Sequence, residues 1–250
     1  MRVLVPIGAS FTFLFAAQSA NADFVVAPNT NTSTSGNDQQ FGVLDTPNDN
    51  VTFQFVYSAA QFSTIATGTE ITGIGFRLPA GASTVNSAAV YSSFSLQIGQ
   101  STAAPGSLST TFATNEASDT VTALSGPMTI AAGSFVGGTG PNPFFELAFT
   151  TPYTFTGGNL LITIGHTDPG ASIALDANTI PSLSTVTDTI ANFTSDTATG
   201  ADGQGRGFYN SPIAAFYFSS SAVPEPPTSV LLALGSVFVL AGYRFRRQTA

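Results

Sequence analysis

The sequence predicts an all-β body arranged as an antiparallel two-sheet sandwich, similar to a jelly roll. Two observations predict it. Apolar residues alternate with polar ones at period 2 in many short stretches between residues 23 and 222, and Gly, Pro and Asn separate these stretches. No stretch of this body keeps the 3.6-residue period of an amphipathic helix. Many short strands without intervening helices favour two packed antiparallel sheets.

The alternation also places the strands. A turn is expected at Gly157–Asn159, and residues 58–62 could form one helical turn. Two polar stretches, residues 29–40 and 176–207, are expected to be loose surface excursions. The residues expected to share one face of each strand are Val51, Phe53, Phe55 and Tyr57; Thr72, Ile74, Phe76 and Leu78; Val90, Ser92, Phe94, Leu96 and Ile98; Phe145, Leu147 and Phe149; Tyr153 and Phe155, after a break at residues 150–152; Leu160, Ile162 and Ile164; and the final stretch 213–218.

The composition excludes several classes of function. The chain of 250 residues has no cysteine and one histidine, so disulfide frameworks, thiolate zinc sites and iron–sulfur clusters are unavailable. Its formal net charge is -8, whereas a nucleic-acid-binding protein needs a basic surface. Residues 23–222 hold two basic residues, Arg77 and Arg206, against thirteen acidic ones. We expect no cofactor and no nucleic-acid partner.

Residues 1–22 are typical of a secretory signal peptide. Arg2 supplies a short positive region, and an apolar stretch follows over residues 3–17. Ala20 and Ala22 then place small side chains where signal peptidase needs them for a cut before Asp23. The alternative, an uncleaved membrane anchor, is disfavoured because the apolar stretch is short for a membrane span.

Residues 223–250 contain three parts in order. The first, Val-Pro-Glu-Pro at residues 223–226, resists helix formation because each proline restricts its own backbone and that of its predecessor. The sixteen residues 228–243 would span roughly 24 Å as a helix, which crosses a bilayer that thins locally. The basic residues that follow should stay in the cytoplasm by the positive-inside rule, and they are Arg244, Arg246 and Arg247.

This order of parts resembles the PEP-CTERM sorting domain of Gram-negative bacteria, which joins a Pro-Glu-Pro motif, a short transmembrane helix and an arginine-rich tail. The resemblance implies transient membrane insertion and cleavage at or near the motif by exosortase, a membrane-embedded enzyme similar to cysteine proteases. It also implies an association with exopolysaccharide in a biofilm or floc matrix. The residues that match the motif are Val223, Pro224, Glu225 and Pro226.

A permanently anchored single-span protein is the alternative for this segment. It would use the same helix and tail, but it does not explain the presence of Glu225 between the two prolines. A stiff Pro-Glu-Pro stretch stays extended and therefore accessible to a protease at the membrane face. Processing is the interpretation that accounts for all three parts.

Few residues of the body suggest catalysis or metal binding. His166 ends the strand that begins at Leu160, and a hydrolase triad could start from His166 and Asp168. No G-x-S-x-G elbow accompanies them, so we expect a hydrogen-bonded histidine at a strand end and a protein that is not an enzyme. Asp196 and Asp202 could contribute to a Ca²⁺ site in a long loop. They are weak candidates, because the sequence contains no EF-hand pattern.

Carbohydrate binding is the most specific activity that the body could have. It would use exposed aromatic rings and amides on a sheet face or loop, although the chain has no tryptophan. Core packing explains most of the aromatic residues without a ligand. The available phenols are Tyr91, Tyr153, Tyr209 and Tyr217.

The sequence therefore predicts an exported, non-enzymatic surface or matrix protein in three parts: a signal peptide over residues 1–22, a β domain over 23–222 and a sorting segment over 223–250. It would pass through the inner membrane and end at the cell surface or outside the cell. The alternative is a carbohydrate-binding module, with or without Ca²⁺, anchored by its C-terminal span. A hydrolase using His166 is the third alternative.

Overall fold

The protein is an all-β structure. The computed structural model describes residues 23–45, 50–179, 185–202 and 210–219. The predicted signal peptide, the Pro-Glu-Pro motif, the C-terminal helix and the arginine tail lie outside these described residues. Within them, no helix has the length and apolar character needed to cross a membrane.

Twelve strands form the regular structure of the described residues, with very little helix. One short helix, α1, spans Phe112–Asn115, and two 3₁₀ turns span Asn29–Asn31 and Ala59–Phe62. The second of these confirms the single helical turn expected near residue 60. The strands are β1 (Asp23–Ala27), β2 (Asp38–Gln40), β3 (Val51–Tyr57), β4 (Glu70–Phe76), β5 (Ala89–Gln100), β6 (Val121–Ile130), β7 (Phe145–Thr154), β8 (Leu160–His166), β9 (Leu175–Asn178), β10 (Thr187–Asn192), β11 (Ser211–Pro212) and β12 (Ala214–Phe218).

The described strands form three antiparallel sheets. A four-stranded sheet has the order β1-β12-β4-β7, and a five-stranded sheet has the order β10-β3-β8-β5-β6. A small third sheet has the order β11-β9-β2. The two large sheets contribute to one buried apolar cluster. Their aromatic rings meet there, with centroids 5.7 Å apart for Tyr57 and Phe216 and 6.4 Å apart for Phe55 and Phe76.

The period-2 patterns of β3 and β8 are confirmed. The two strands pair in register from Val51 opposite His166 to Tyr57 opposite Leu160. Side chains alternate between the two faces of a strand, so Phe53 and Phe55 enter the main core while Val56 joins a smaller apolar cluster on the opposite face. Every residue of β3 is buried as a result.

Bulges change the expected inward face at two strands. In β4 the register shifts between Ile71 and Gly73, and Ile71 is buried in the core instead of Thr72. In β5 the register shifts between Tyr91 and Phe94, which turns Tyr91 inward and leaves Val90 56% exposed. The predicted inward positions of Thr72, Val90 and Ser92 are therefore wrong. An extra residue reverses the alternation that the sequence displays.

The expected break in β7 is also wrong. The strand runs without interruption from Phe145 to Thr154. Its pairing with β4 instead jumps from Ala148 opposite Gly73 to Tyr153 opposite Ile71. The residues between these pairs are accommodated as an irregularity in the ladder at an edge of the sheet, where such insertions are tolerated.

The two polar stretches are more ordered than the sequence predicts. Residues 187–192 form the edge strand β10, which pairs with β3 along its whole length. Thr187, Asp188 and Thr189 are all buried there. In the first stretch, residues 38–40 form β2, and Asn31 is buried. Both expectations of loose surface excursions are wrong for these residues, because hydrogen bonds from polar side chains replace apolar burial.

A buried ion pair joins the third sheet to the four-stranded sheet. The side chains of Arg77 and Asp176 are 1% and 0% exposed, and Arg77 Nε donates to Asp176 Oδ2 at 2.8 Å. Arg77 Nη2 donates to the carbonyl oxygens of Asn31 at 3.1 Å and Thr34 at 2.6 Å. Asp176 Oδ1 accepts a bond from the backbone N–H of Gly36 at 2.9 Å. These bonds compensate the two charges that folding removes from water.

We expect Arg77→Met to destabilise the protein by about 3–5 kcal/mol, because it leaves the Asp176 carboxylate buried without its cation. Urea unfolding of the purified protein measures this loss. In a double-mutant cycle with Asp176→Asn, the combined loss should be smaller than the sum of the two single losses. Additive losses of stability would contradict direct coupling between Arg77 and Asp176. The control is Glu70→Gln, which changes an exposed carboxylate.

Candidate functional site

A polar cleft lies on the face of the five-stranded sheet that points away from the main core. Its volume is about 310 Å³, which is at the lower end of the range for small-molecule sites. Strands β3, β8 and β5 form its floor, and the segments around residues 112–116 and 196–199 form its walls.

The floor is a grid of polar side chains set by strand register. One row across the three strands consists of Gln54, Thr163 and Gln97, and the next consists of Thr52, Gly165 and Ser95. All except Gln54 line the cleft directly. The outward positions of three neighbouring strands thus present hydroxyl and amide groups instead of the apolar groups of the inward positions.

The two walls are bonded to each other. The backbone N–H of Phe112 donates to Thr199 O at 3.1 Å, and that of Ala201 donates to Thr110 O at 2.8 Å. Thr111 and Gly200 form an isolated β-bridge between the same segments. The walls therefore form a continuous arch rather than two independent loops.

The second wall is also bonded to the floor. Thr52 Oγ1 donates to Ser195 O at 2.8 Å and accepts from the backbone N–H of Ala198 at 3.1 Å. At Gly165 the contact is so close that an added Cβ would lie 2.2 Å from Asp196 O. A glycine is required at this position of β8 because the backbone of the wall occupies the space of a side chain.

A buried amide network holds the first wall. Asn115 Nδ2 donates to Gln54 Oε1 at 2.7 Å and to Ser109 O at 2.8 Å. Gln54 Nε2 donates to Thr163 Oγ1 at 2.9 Å. Gln54 and Asn115 are fully buried, so these bonds satisfy groups that have no access to bulk water. They fix the position of Glu116, which follows directly after Asn115.

The cleft is acidic. Its charged lining residues are Glu116 and Asp196, and no arginine lies among its lining residues in the described part of the chain. Burial raises the pKa of Glu116, and a hydrogen bond with Thr163 counters part of that increase. A carboxyl group that lies in a cleft and has a pKa raised by desolvation marks a candidate functional site.

The structure places His166 in the interior and not in the cleft. Its ring is fully buried, 5.1 Å from the Tyr91 ring between centroids and 6.4 Å from the Phe94 ring. Nδ1 lies 2.9 Å from Thr167 O and Nε2 lies 3.3 Å from Gly42 O, and the neutral ring can donate to one of them. This geometry matches the expected strand-end histidine and gives a substrate no route to the ring.

Asp168 does not pair with His166. Its Oδ1 atom accepts a bond from the backbone N–H of Gly170 at 2.7 Å, which closes a tight turn. The His–Asp arrangement that a hydrolase triad needs is therefore not formed in this structure.

The weak metal candidates lie in different surroundings. Asp196 lines the cleft, while the backbone N–H of Asp202 donates to Ala191 O at 2.9 Å. Among the described residues, no group of three or more His, Asp or Glu side chains could hold a metal ion.

Two of the tyrosines considered for carbohydrate stacking are in the interior. Tyr91 is 1% exposed and Tyr153 is 2% exposed, so neither ring can stack on a ligand. Tyr217 is half-buried on the outward face of the four-stranded sheet, where its ring lies 5.4 Å from that of Phe24 between centroids. Tyr209 lies outside the described residues.

The two ends of the described chain meet at one end of the four-stranded sheet. Asp23, the residue after the predicted signal-peptide cut, pairs with Phe218 on the neighbouring strand. Ala20, Ala22, the motif residues Val223 to Pro226 and the arginines Arg244, Arg246 and Arg247 lie outside the described residues. The pairing nevertheless fixes where the chain enters and leaves the body.

Comparisons with known protein families, with curated proteins and with solved structures found no match to this chain.

The sequence contains one signal for the cleft. The polar positions within three alternating stretches, such as Gln54, Gln97 and Thr163, mark outward faces that are not typical charged surfaces. Their convergence depends on the strand order β3-β8-β5, which the sequence does not reveal. Glu116 offers no signal of its own, because it lies in a loop.

We expect the pH dependence of stability to depend on His166. Burial lowers the pKa of its ring, so below about pH 6.5 the unfolded chain binds a proton that the folded protein does not. Stability should therefore be fully present above this pH and fall as the pH decreases, with a limiting slope of about 1.4 kcal/mol per pH unit.

Urea unfolding of the protein and of His166→Gln between pH 5 and 8 measures this dependence. The chain has one histidine, so the difference between the two profiles isolates it. The raised pKa of Glu116 acts in the opposite direction and is common to both proteins. Parallel profiles over the whole range would contradict the prediction.

Proposed function

We propose that this protein is an exported surface or extracellular-matrix protein of a Gram-negative bacterium, cut at both ends during export. Signal peptidase would cut before Asp23, and exosortase would cut at or near residues 223–226 after transient insertion of the C-terminal helix. The processed body would associate with exopolysaccharide in a biofilm or floc matrix. The order of the export signal, the Pro-Glu-Pro motif, the apolar segment and the arginines supports this proposal.

The body itself is proposed to be a two-sheet sandwich similar to a jelly roll. The support is that the four-stranded and five-stranded sheets share one apolar cluster, in which rings from β3 contact rings from β4 and β12. A body of this kind needs no cofactor and no disulfide to fold. It suits a protein whose function is to be displayed or to bind.

The observation that carries the proposal is the pairing of Asp23 with Phe218. Pro224 is the sixth residue after Phe218, so the first proline lies at most about 22 Å along the chain from this pair. Both proposed cuts therefore belong to one end of the body. A body that is held with this end at the membrane would present both cut positions to the membrane peptidases in one orientation.

A carbohydrate-binding body is the second candidate, and the polar cleft on the five-stranded sheet favours it. A permanently anchored form would use the same body and the same C-terminal span. The hydrolase alternative has no such support, because His166 is enclosed by aromatic rings.

The expected processing can be measured by the intact mass of the protein released by its native host. We expect a chain that begins at Asp23 and ends within or close to residues 223–226. A mass that still includes Arg246 and Arg247 would contradict processing and support the permanent anchor.

A fusion of residues 223–250 to an unrelated exported cargo tests the tail separately. In a host with exosortase, we expect the fusion to be cut, and Glu225→Ala together with Pro226→Ala to reduce cutting. Accumulation of the uncut parent fusion would contradict the proposal.

A further inference from the structure

We propose that the polar cleft is a binding site for one or two units of an uncharged sugar. This inference goes beyond the proposed export and does not depend on it. It rests on the fixed shape of the cleft, on the hydrogen-bonding groups that it offers and on its charge.

The cleft is formed before any ligand arrives. Its arch is closed by the bonds from Phe112 to Thr199 and from Ala201 to Thr110, and Thr52 ties it to the sheet. A site that is already ordered spends little of its binding free energy on ordering side chains and loops. This matters for sugars, because their hydroxyl groups lose bonds to water when they bind.

The lining groups match the chemistry of a sugar. The Gln97 side chain is partly exposed and lines the cleft, and its amide has no hydrogen-bond partner among the described residues, so it can both donate to and accept from ligand hydroxyls. Glu116 supplies a strong acceptor beside it. Ala113 and Ala198 add small apolar side chains to the lining, against which the C–H face of a sugar ring can pack.

The charge of the cleft selects against acidic sugars. Glu116 and Asp196 both line it, and among the described residues its lining contains no arginine or lysine to balance a ligand carboxylate or sulfate. An anionic ligand would place like charges together in a partly desolvated site. A hydroxyl group, in contrast, donates to a carboxylate without adding charge.

Keeping the charged form of the Glu116 carboxyl partly buried is also unfavourable for the protein without a ligand. Burial raises the pKa of Glu116, which means that the folded state disfavours its charged form. The neighbouring amide of Gln54, whose Nε2 lies 3.5 Å from Glu116 Oε1, holds it at the cleft instead of leaving it in solvent. A ligand hydroxyl that donates to Glu116 would restore the hydrogen bonding that burial removes.

The outward face of the four-stranded sheet is the rival location. The rings of Phe24, Tyr217 and Phe144 gather there, with centroids 5.4 Å and 6.2 Å from that of Phe24. Phe24 is 48% exposed. This aromatic face is shallow and does not enclose a ligand, but sugar rings can stack on such faces, so it must be distinguished by experiment.

Isothermal titration calorimetry on the exported protein tests the proposal. The probes are glucose, galactose, mannose, xylose and N-acetylglucosamine, their linked disaccharides, glucuronic acid as the anionic counterpart of glucose, and CaCl₂. We expect at least one neutral sugar to bind and glucuronic acid to bind at least tenfold more weakly than the best neutral sugar.

Cleft variants then locate the site. Gln97→Ala and Glu116→Ala should each weaken binding of that sugar at least tenfold. The matched controls are Gln39→Ala and Glu70→Ala, which change the same residue types at exposed positions outside the cleft. Because the Gln97 side chain makes no hydrogen bond within the described protein, its variant should also keep the urea midpoint of the parent.

Three results would overturn the proposal. One is the absence of heat from every neutral sugar at millimolar concentration. Another is sugar binding that survives both cleft variants and is lost in Phe24→Ser, which would assign it to the aromatic face. The third is CaCl₂ binding that Glu116→Ala abolishes while no sugar binds, which would make the cleft a cation site.

Discussion

The buried pair of Arg77 and Asp176 is the constraint on which the arrangement of the sheets depends. The body contains thirteen acidic residues and two basic ones, and it encloses one of those two cations. Arg77 follows β4 directly, whereas Asp176 lies in β9 of the third sheet. The guanidinium also binds the carbonyl oxygens of the segment between β1 and β2 and lies 4.8 Å above the Phe144 ring. A charge that costs free energy to bury is thus paired at a point where three parts of the chain meet.

Alternation in the sequence is sufficient to predict strands whose pairing is regular. Strands β3 and β8 are of this kind, because each buries one apolar set in the main core without interruption. The same logic fails at the bulges in β4 and β5, where an extra residue shifts the face that is buried. It also fails at β10, whose residues Thr187 to Thr189 are polar and buried. Burial there depends on partners from distant segments, as in the bond from the Leu108 N–H to Asp188 Oδ2 at 3.3 Å, and local sequence does not encode such partners.

The sequence predicts the separate parts of the candidate site, but it does not predict how the fold brings them together. Its floor uses the polar positions of strands that the sequence does predict, and the expectation of a hydrogen-bonded histidine at a strand end is confirmed by the bonds that His166 makes. The order β3-β8-β5 brings Gln54, Thr163 and Gln97 into one row, although more than forty residues separate the nearest two in sequence. The walls come from two distant segments that are joined by backbone bonds and by an apolar cluster to which Phe112 and Ala198 both belong. A site built in this way follows from long-range register, which period-2 patterns do not carry.

The two large sheets divide the tasks that we propose for the protein. Strands β1 and β12, which carry the entry and exit of the body, belong to the four-stranded sheet, while the cleft lies on the outward face of the five-stranded sheet. No residue of β1 or β12 lines the cleft. All the described residues that line the cleft precede Phe218, so cutting the chain beyond Phe218 removes none of them, and the bonds that close its arch remain. The same separation means that an anchored body and a released body present the same cleft, so the attachment of the protein can change without a change in what it binds.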